Sequence, residues 1–397
     1  MTTKQHWILP QGIEEVLPEQ AAKFEAMRRL LLDLYASWGY ELVMPPTIDF
    51  IESLLTGTGH DLDLQTFKLV DQLSGKTLGV RADMTPQVAR MDAHQLQRDV
   101  PTRLCYIGTV LRTLPESIGD SRSPLQVGAE LYGHAGVESE VEIIGLMLQT
   151  FSALEIENIY LDLGNVDIYR GLAKQAGLSE EVESQLFEML QRKAVTEINT
   201  LLNSLNIDNS VKAMLSGLAS LNGGKEVFEK ARILLADADT AVKQAVDYLE
   251  KTAELMWQRL ADMNMGDLKV HFDLSELHGY HYKTGVVFAA FVPQLGQAIA
   301  RGGRYDDIGK VFGRARAATG FSTDLKVLNQ LSKKQFAVVD KIFAPLDENQ
   351  SLKQKIAALR AEGKIVIEQL PGQQADANAM GCNKSLCLVD GQWVVEG

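Results

Sequence analysis

The chain has 397 residues, of which 46% are hydrophobic and 23% are charged, a composition ordinary for a soluble globular protein. Its net charge of -13 argues against a generic nucleic-acid binder, because affinity for the phosphate backbone comes from Lys and Arg. The apolar runs are too short to cross a membrane, the N-terminus has no signal-peptide pattern, and three cysteines are too few for a disulfide framework. We therefore expect a cytoplasmic protein of two or three domains.

The first distinctive feature is a long amphipathic helix that leads directly into a short strand. Apolar residues recur at helical spacing from Phe24 to Trp38, and Gly39 marks the end of the helix. The strand begins at Tyr40 and is ended by Pro45 and Pro46.

The segment Gly79–Arg90 places Arg81, Asp83 and Thr85 at alternate positions before Pro86. In an extended conformation these three side chains would share one face, and Pro86 would begin a helix. A carboxylate beside a hydroxyl can bind an ammonium group, and a guanidinium can bind a carboxylate, so the set fits an amino acid. The alternative is an exposed strand face with a surface ion pair.

A predicted hairpin follows, in which the strand Leu104–Leu111 ends at Arg112 and the strand Leu125–Tyr132 returns after a polar loop. Arg112 either meets a phosphate or carboxylate or forms a surface ion pair. On the return strand, Gln126 and Glu130 share a face of an otherwise apolar run. They indicate either the solvent face of an antiparallel sheet or the floor of a site.

A helical insertion is predicted between two strands of one sheet. From about Val166 to Met263 the strand signals vanish, and several helical patterns replace them. Strands resume at Leu268–Leu274 on the far side. The other predicted elements are strands at Thr66–Asp71, Thr77–Arg81, Asn158–Gly164, Val286–Val292 and Gln297–Arg301, a helix at Val137–Leu154, and a small α/β part after about Ser332 with strands that include Phe336–Val339.

Tyrosines and histidines cluster just before the strand Val286–Val292. Tyr280 and Tyr282 offer stacking and hydrogen-bonding partners, although tyrosines at a strand start are also typical of core edges. His278 and His281 are spaced three apart, but no third ligand lies at a suitable spacing, so we expect no metal.

Together these segments resemble the class II aminoacyl-tRNA synthetases. The helix before Gly39 and the strand before Pro45 resemble motif 1, the hairpin from Arg112 to Glu130 resembles motif 2, and Arg301–Asp306 with Gly320 resembles the approach to motif 3. Within the class, residues 7 to 330 are most similar to histidyl-tRNA synthetase. The resemblance implies an α+β fold with an antiparallel sheet flanked by helices, a domain at 1–330 interrupted by the 166–263 insertion, and a small domain at 331–397.

The departures from the synthetase pattern indicate that aminoacylation is lost. Leu114 stands where those enzymes have a Glu involved with ATP, Lys326-Val327 replaces a Glu-Arg pair, and Leu277 aligns with a catalytic Arg. Apolar residues cannot neutralise polyphosphate charge, which is most of what such sites contribute. The part after residue 330 is also shorter than the anticodon-binding domain.

A retained amino-acid pocket without the ATP site resembles the regulatory subunits of ATP phosphoribosyltransferase. That resemblance implies a non-catalytic subunit that activates the short catalytic subunit, binds L-histidine for feedback inhibition of the first step of histidine biosynthesis, and needs no cofactor. It further implies a homodimer, formed through motif 1, within a hetero-octamer. The histidine-binding residues implied are Asp83, Thr85, Arg112, Gln126, Glu130, Tyr280 and Tyr282.

Three alternatives remain open at this stage: a working histidyl-tRNA synthetase-like enzyme, a paralogue that binds tRNA without catalysis, and an enzyme of new chemistry in the old pocket. The first requires an Arg at position 327, where the chain has Val327. The acidic charge weighs against the second, and the third needs ATP binding.

Overall fold

The computed structural model describes residues 8–56, 60–115, 120–266, 268–280, 282–337, 339–374 and 376–397, with only the backbone at 60 and 61. The chain divides into two compact units after Lys334. In the described residues, no helix is long and apolar enough to span a membrane.

The first half of the larger unit alternates short strands with helices. In chain order it contains α1 (Pro18–Ser37), β1 (Glu41–Leu42), β2 (Ile48–Phe50), α2 (Ile51–Leu55), α3 (His60–Gln65), β3 (Phe67–Val70), β4 (Thr77–Val80), α4 (Thr85–Arg90), a π-helical segment (Met91–Leu96), β5 (Thr102–Thr109), β6 (Leu125–Tyr132), α5 (Val137–Ala153) and β7 (Tyr160–Asn165).

The second half contains the helical insertion and then the strands that complete the sheet. Its elements are α6 (Val166–Gln175), α7 (Glu180–Gln191), α8 (Val195–Ser204), α9 (Asn209–Leu218), β8 (Asn222–Gly223), α10 (Glu226–Leu234), α11 (Thr240–Asp262), β9 (Lys269–Asp273), β10 (Val286–Phe291), β11 (Ala300–Arg304), a 3-10 turn (Lys310–Phe312), β12 (Ala318–Asp324) and α12 (Leu325–Leu331).

The main sheet runs in the order β1-β5-β6-β12-β11-β10-β7-β9-β8 across the described residues. Its pairings are antiparallel except those of β1 with β5 and β7 with β9. β6 lies between β5 and β12, and from Gln126 onward all of its residues are buried. Leu104 and Gly320 flank Glu130 on the neighbouring strands. The fold is therefore the expected α+β class, with β6 in the interior of the sheet.

Helices cover the sheet through continuous apolar faces. α1 buries Phe24, Met27, Leu31 and Tyr35, which recur at helical spacing. α5 is buried along most of its length, as expected of a central helix packed on its neighbours. The predicted boundaries of β6 and the start of α5 are confirmed.

Three strand predictions were wrong. β11 begins at Ala300, not Gln297, and continues through Gly302 and Gly303. A side chain at Gly302 would overlap the Phe288 ring, so glycine lets the neighbouring strand approach closely. The insertion contributes a two-residue strand, β8, at the edge of the sheet. Phe336, Ala337 and Val339 lie outside any strand, and Val338 falls outside the described residues.

The smaller unit is a mixed four-stranded sheet, counted over its described residues, with one helix on it. It contains β13 (Lys341–Ala344), α13 (Gln350–Ala361), β14 (Ile365–Glu368), β15 (Lys384–Val389) and β16 (Gln392–Glu396). The strand order is β14-β13-β15-β16. Its core includes Leu352 and Ile356 from the helix and Ile342, Val366 and Leu386 from the strands.

Candidate functional site

A cavity of about 780 Å³ opens beside β6, between the segment that precedes α4 and the segment that precedes β10. Side chains from sequence positions more than two hundred residues apart line it. The predicted ligand-binding residues that line this cavity are Asp83, Thr85, Arg112, Gln126, Glu130, Tyr280 and Tyr282. The fold thus brings together all seven, although their role in binding remains a prediction.

Glu130 lies at the floor of the cavity and is 1% exposed. Its carboxylate accepts hydrogen bonds from Tyr106 at 2.9 Å, from Thr85 at 3.1 Å and from Tyr305. Burial raises the pKa of Glu130 to about 8, although these three hydroxyls act to lower it. The result is a buried carboxyl group that is fixed in orientation and titrates within the physiological range.

Asp83 and Gln126 are held together beside this floor. Gln126 Nε2 donates to Asp83 Oδ1 at 2.7 Å, while Gln126 Oε1 accepts from the Met84 amide at 2.9 Å. Asp83 Oδ1 also accepts from the Thr85 amide at 3.0 Å. The buried glutamine therefore positions the carboxylate of Asp83, since both of its polar ends are committed.

The prediction that Arg81, Asp83 and Thr85 share one extended face was wrong. β4 ends at Val80, and Thr85 is already the first residue of α4. Arg81 is buried and donates instead to the carbonyls of Thr109, at 2.9 Å, and Pro45, at 2.5 Å. Arg81 therefore links two backbone segments through these hydrogen bonds, and it does not line the cavity.

The two predicted tyrosines differ in their surroundings. Tyr280 is buried, its hydroxyl donates to the Glu183 carboxylate, and its ring packs against Phe187 with centroids 5.3 Å apart. Arg170 lies over the same ring at 4.8 Å. Tyr280 therefore forms a wall that joins the helical insertion to the cavity. Tyr282 is 36% exposed and lies at the same wall.

Several functional candidates were missed from the sequence. Tyr106 and Tyr305 complete the set of hydroxyls around Glu130, and Lys283 places a buried amine in the cavity wall. Tyr305 lies in the motif 3 segment, which is a signal that could have found it. Tyr106 and Lys283 carry no such signal, because only the packing shows which way they face.

The structure also shows where the three residues lie that depart from the synthetase pattern. Val327 lines the cavity, Leu114 is 66% exposed, and Leu277 is buried in the core. His278, the next residue, lines the cavity instead. Lys326 is committed to an ion pair with Glu14 at 2.7 Å.

No cluster of His, Cys, Asp or Glu in the described part of the chain is arranged to hold a metal ion. Of the two histidines considered for this, His281 lies outside the described residues.

Comparison with known families divides the chain into two matched parts. A family model described as histidyl-tRNA synthetase matches residues 12–328. A second, described as the ATP phosphoribosyltransferase subunit HisZ C-terminal domain, matches residues 339–396.

Curated relatives match along the whole chain. A protein of Thioalkalivibrio sulfidiphilus is 58% identical over 100% of this chain and 99% of its own length. Another, from Pseudomonas paraeruginosa, is 53% identical with the same coverage. Both are named ATP phosphoribosyltransferase regulatory subunit.

Solved structures share the fold. A Bacillus halodurans protein described as an ATP phosphoribosyltransferase regulatory subunit/histidyl-tRNA synthetase is 29% identical, with a TM-score of 0.80 over 94% of this chain and 96% of its own. The histidyl-tRNA synthetase of Nostoc is 16% identical, with a TM-score of 0.75 over 98% and 97%. The class II synthetase-like fold is therefore confirmed.

Proposed function

The chain belongs to the family of ATP phosphoribosyltransferase regulatory subunits, and we propose from this premise that its cavity binds L-histidine for feedback control. Its part in histidine biosynthesis is regulatory and not catalytic. The predicted alternative of a working synthetase is not supported, because the full-length relatives carry the regulatory name.

The observation that carries the proposal is the buried Glu130 carboxyl group, which Thr85, Tyr106 and Tyr305 fix at the cavity floor. A fixed acceptor of this kind suits an imidazole N–H, and Asp83 beside it suits an ammonium group. L-Histidine carries both groups.

The proposed partner is the short catalytic subunit of ATP phosphoribosyltransferase, which this chain activates. We further propose a homodimer within a hetero-octamer of four chains of each kind. The exposed apolar side chains of Leu42, Met44 and Ile48, which are 41%, 73% and 49% exposed, support an interface at the motif 1 segment.

Feedback inhibition requires histidine to bind two states of the complex with different affinity. Such coupling between two sites is typically about 1–3 kcal/mol, and it is reciprocal. Where histidine lowers the affinity of the complex for a substrate, that substrate must lower the affinity for histidine by the same factor.

Titration calorimetry with L-histidine, followed by rate measurements after addition of the catalytic subunit, tests the proposal. We expect Glu130→Gln to bind histidine about 10- to 100-fold more weakly, because an amide replaces the carboxyl group that accepts the imidazole N–H, and to need correspondingly more histidine for inhibition. The control is Glu157→Gln, since Glu157 is in an exposed ion pair with Lys333 and is not part of the cavity lining.

Two results would contradict the proposal. One is the absence of histidine binding by the wild-type chain. The other is a catalytic subunit whose rate and histidine sensitivity are the same with and without this chain.

A further inference from the structure

Lys283 is a buried lysine in the wall of the cavity, in the segment between β9 and β10. Its side chain is 4% exposed, and its Nζ donates to the Gly302 carbonyl at 2.6 Å. A Cβ at Gly279 would lie 3.0 Å from the Lys283 Cδ and Cε atoms, so the absence of a side chain there leaves room for the lysine stem. The ammonium group is thus held at a defined place.

The surroundings leave this amine incompletely paired. An ammonium group has three donors, and within the described residues Nζ makes one hydrogen bond, to a neutral carbonyl. A buried cation without a paired anion is costly. A ligand anion would supply the missing partner.

The charged groups that face Lys283 come from several elements. Carboxylates act on it from Glu276, Glu130 and Asp83, and positive charge acts on it from Arg301. The positive charge of Lys283 also acts on His278, where it adds to burial in lowering the pKa of the imidazole. Burial lowers the pKa of Lys283 to about 7, and the opposing carboxylates do not restore it.

We propose that Lys283 binds the carboxylate of the amino-acid ligand and thereby makes the cavity specific for an amino acid over the corresponding amine. This inference rests on the proposed function. Asp83 and Glu130 supply acidic partners for the ammonium group and the ring, which leaves the carboxylate in need of a cation.

Arg112 is a rival cation in the same cavity. Its Nε is 3.5 Å from the Ala82 carbonyl oxygen, and its charge acts on Asp324 at the start of α12. Lys283 instead interacts with Asp83 and Glu130, the acids assigned to the ligand. Arg112 and Arg301 therefore both remain rivals for the carboxylate, and both are included in the test.

A linked change in protonation follows. At pH 8 the buried amine is mostly neutral, and a bound carboxylate favours its charged form, so binding takes up a proton. At pH 8, binding of histidine should therefore be accompanied by the uptake of close to one more proton than binding of histamine. Histamine has the same ring and amine but no carboxylate. The affinity for histidine relative to histamine should fall as the pH rises from 7 to 9.

Calorimetry with L-histidine and histamine, on the full chain at pH 7 to 9 in HEPES and in Tris, tests the inference. We expect Lys283→Met to weaken histidine binding about 10- to 100-fold and histamine binding less than about threefold. Lys326→Met is the matched control, because this second cavity lysine is already paired with Glu14, and it should leave the ratio unchanged.

The outcomes separate the two proposals. Absence of histidine binding by the wild type would overturn the proposed function and this inference with it. Histidine binding with equal proton uptake for both ligands would overturn the inference alone, and needs no variant. Equal losses of both ligands in Lys283→Met would also overturn it. So would loss of the preference for histidine in Arg112→Met or Arg301→Met but not in Lys283→Met.

Discussion

Gly320 on β12 lies directly opposite Glu130 on β6, and a Cβ at this glycine would overlap the Glu130 Oε2 atom. The carboxylate of Glu130 thus occupies the space that any other residue at position 320 would need for its side chain. The glycine of the motif 3 segment is therefore required by the site as much as by the sheet.

We expect Gly320→Ala to displace the Glu130 carboxylate from its three hydroxyl donors and to reduce histidine affinity by at least about tenfold. Calorimetry measures the affinity, and denaturation in urea measures the accompanying loss of stability, about 1–3 kcal/mol for an overpacked core. Gly266→Ala is the control, since a Cβ there meets no neighbouring atom within 4 Å. Unchanged histidine binding in Gly320→Ala would show that the position of Glu130 does not matter for the ligand.

Gln126→Leu should weaken histidine binding about tenfold, because Asp83 loses the amide that orients it. It also leaves the buried Met84 amide without its partner, which costs about 1–3 kcal/mol of stability. Gln87→Leu is a matched control: Gln87 is equally buried, outside the cavity lining, and donates to Pro46 at 2.9 Å. If the two variants lost the same histidine affinity, the orienting role of Gln126 would be refuted.

The stability of the protein should depend on pH through Glu130. Its pKa is raised to about 8 from an ordinary 4.5, so between these values the folded protein retains a proton that the unfolded chain has lost. This group's contribution to the free energy of unfolding is complete below pH 4.5 and is lost as the pH rises to 8, at up to about 1.4 kcal/mol per pH unit.

Urea denaturation of the wild type and Glu130→Gln at pH 5.5 and pH 7.5 measures this difference. The free energy of unfolding should fall more steeply with pH in the wild type than in the variant, which carries no titrating group at this position. Identical pH slopes would mean that Glu130 is ionised in the folded protein throughout this range.

Breaking the buried ion pair between Arg304 and Glu140 should greatly lower the free energy of unfolding. Arg304 Nε lies 2.5 Å from Glu140 Oε1, with side chains 5% and 0% exposed, so Arg304→Met leaves a buried carboxylate unpaired. We expect a loss of about 3–5 kcal/mol in the free energy of unfolding. Lys333→Met, at a pair with 63% and 61% exposed side chains, should change it by less than about 1 kcal/mol. Comparable losses in both variants would contradict this assignment.

Features that depend on neighbouring residues in the sequence were predicted correctly here, and features that depend on contacts between distant residues were not. β6 was predicted with its observed bounds because its pattern is local, and Glu130 stands out as an acid in an apolar run. Arg81 was misassigned because β4 ends one residue earlier, which turns its side chain towards backbone carbonyls behind the cavity. Tyr106 was missed because its partner Glu130 is 24 residues away in the sequence, on the neighbouring strand.

The hydrogen bond from Tyr280 to Glu183 spans 97 residues of sequence and joins the cavity wall to α7. Asp83 and Gln126, which also line the cavity, come from the first third of the chain. The cavity is therefore complete only when this early part of the chain has packed against the segment that contains Tyr280. A long loop must be closed before such contacts form, which makes their assembly slow relative to local helices. During synthesis, a chain that has not yet reached β12 has no complete cavity, and so ligand recognition is acquired only after the last strand of the sheet has been made.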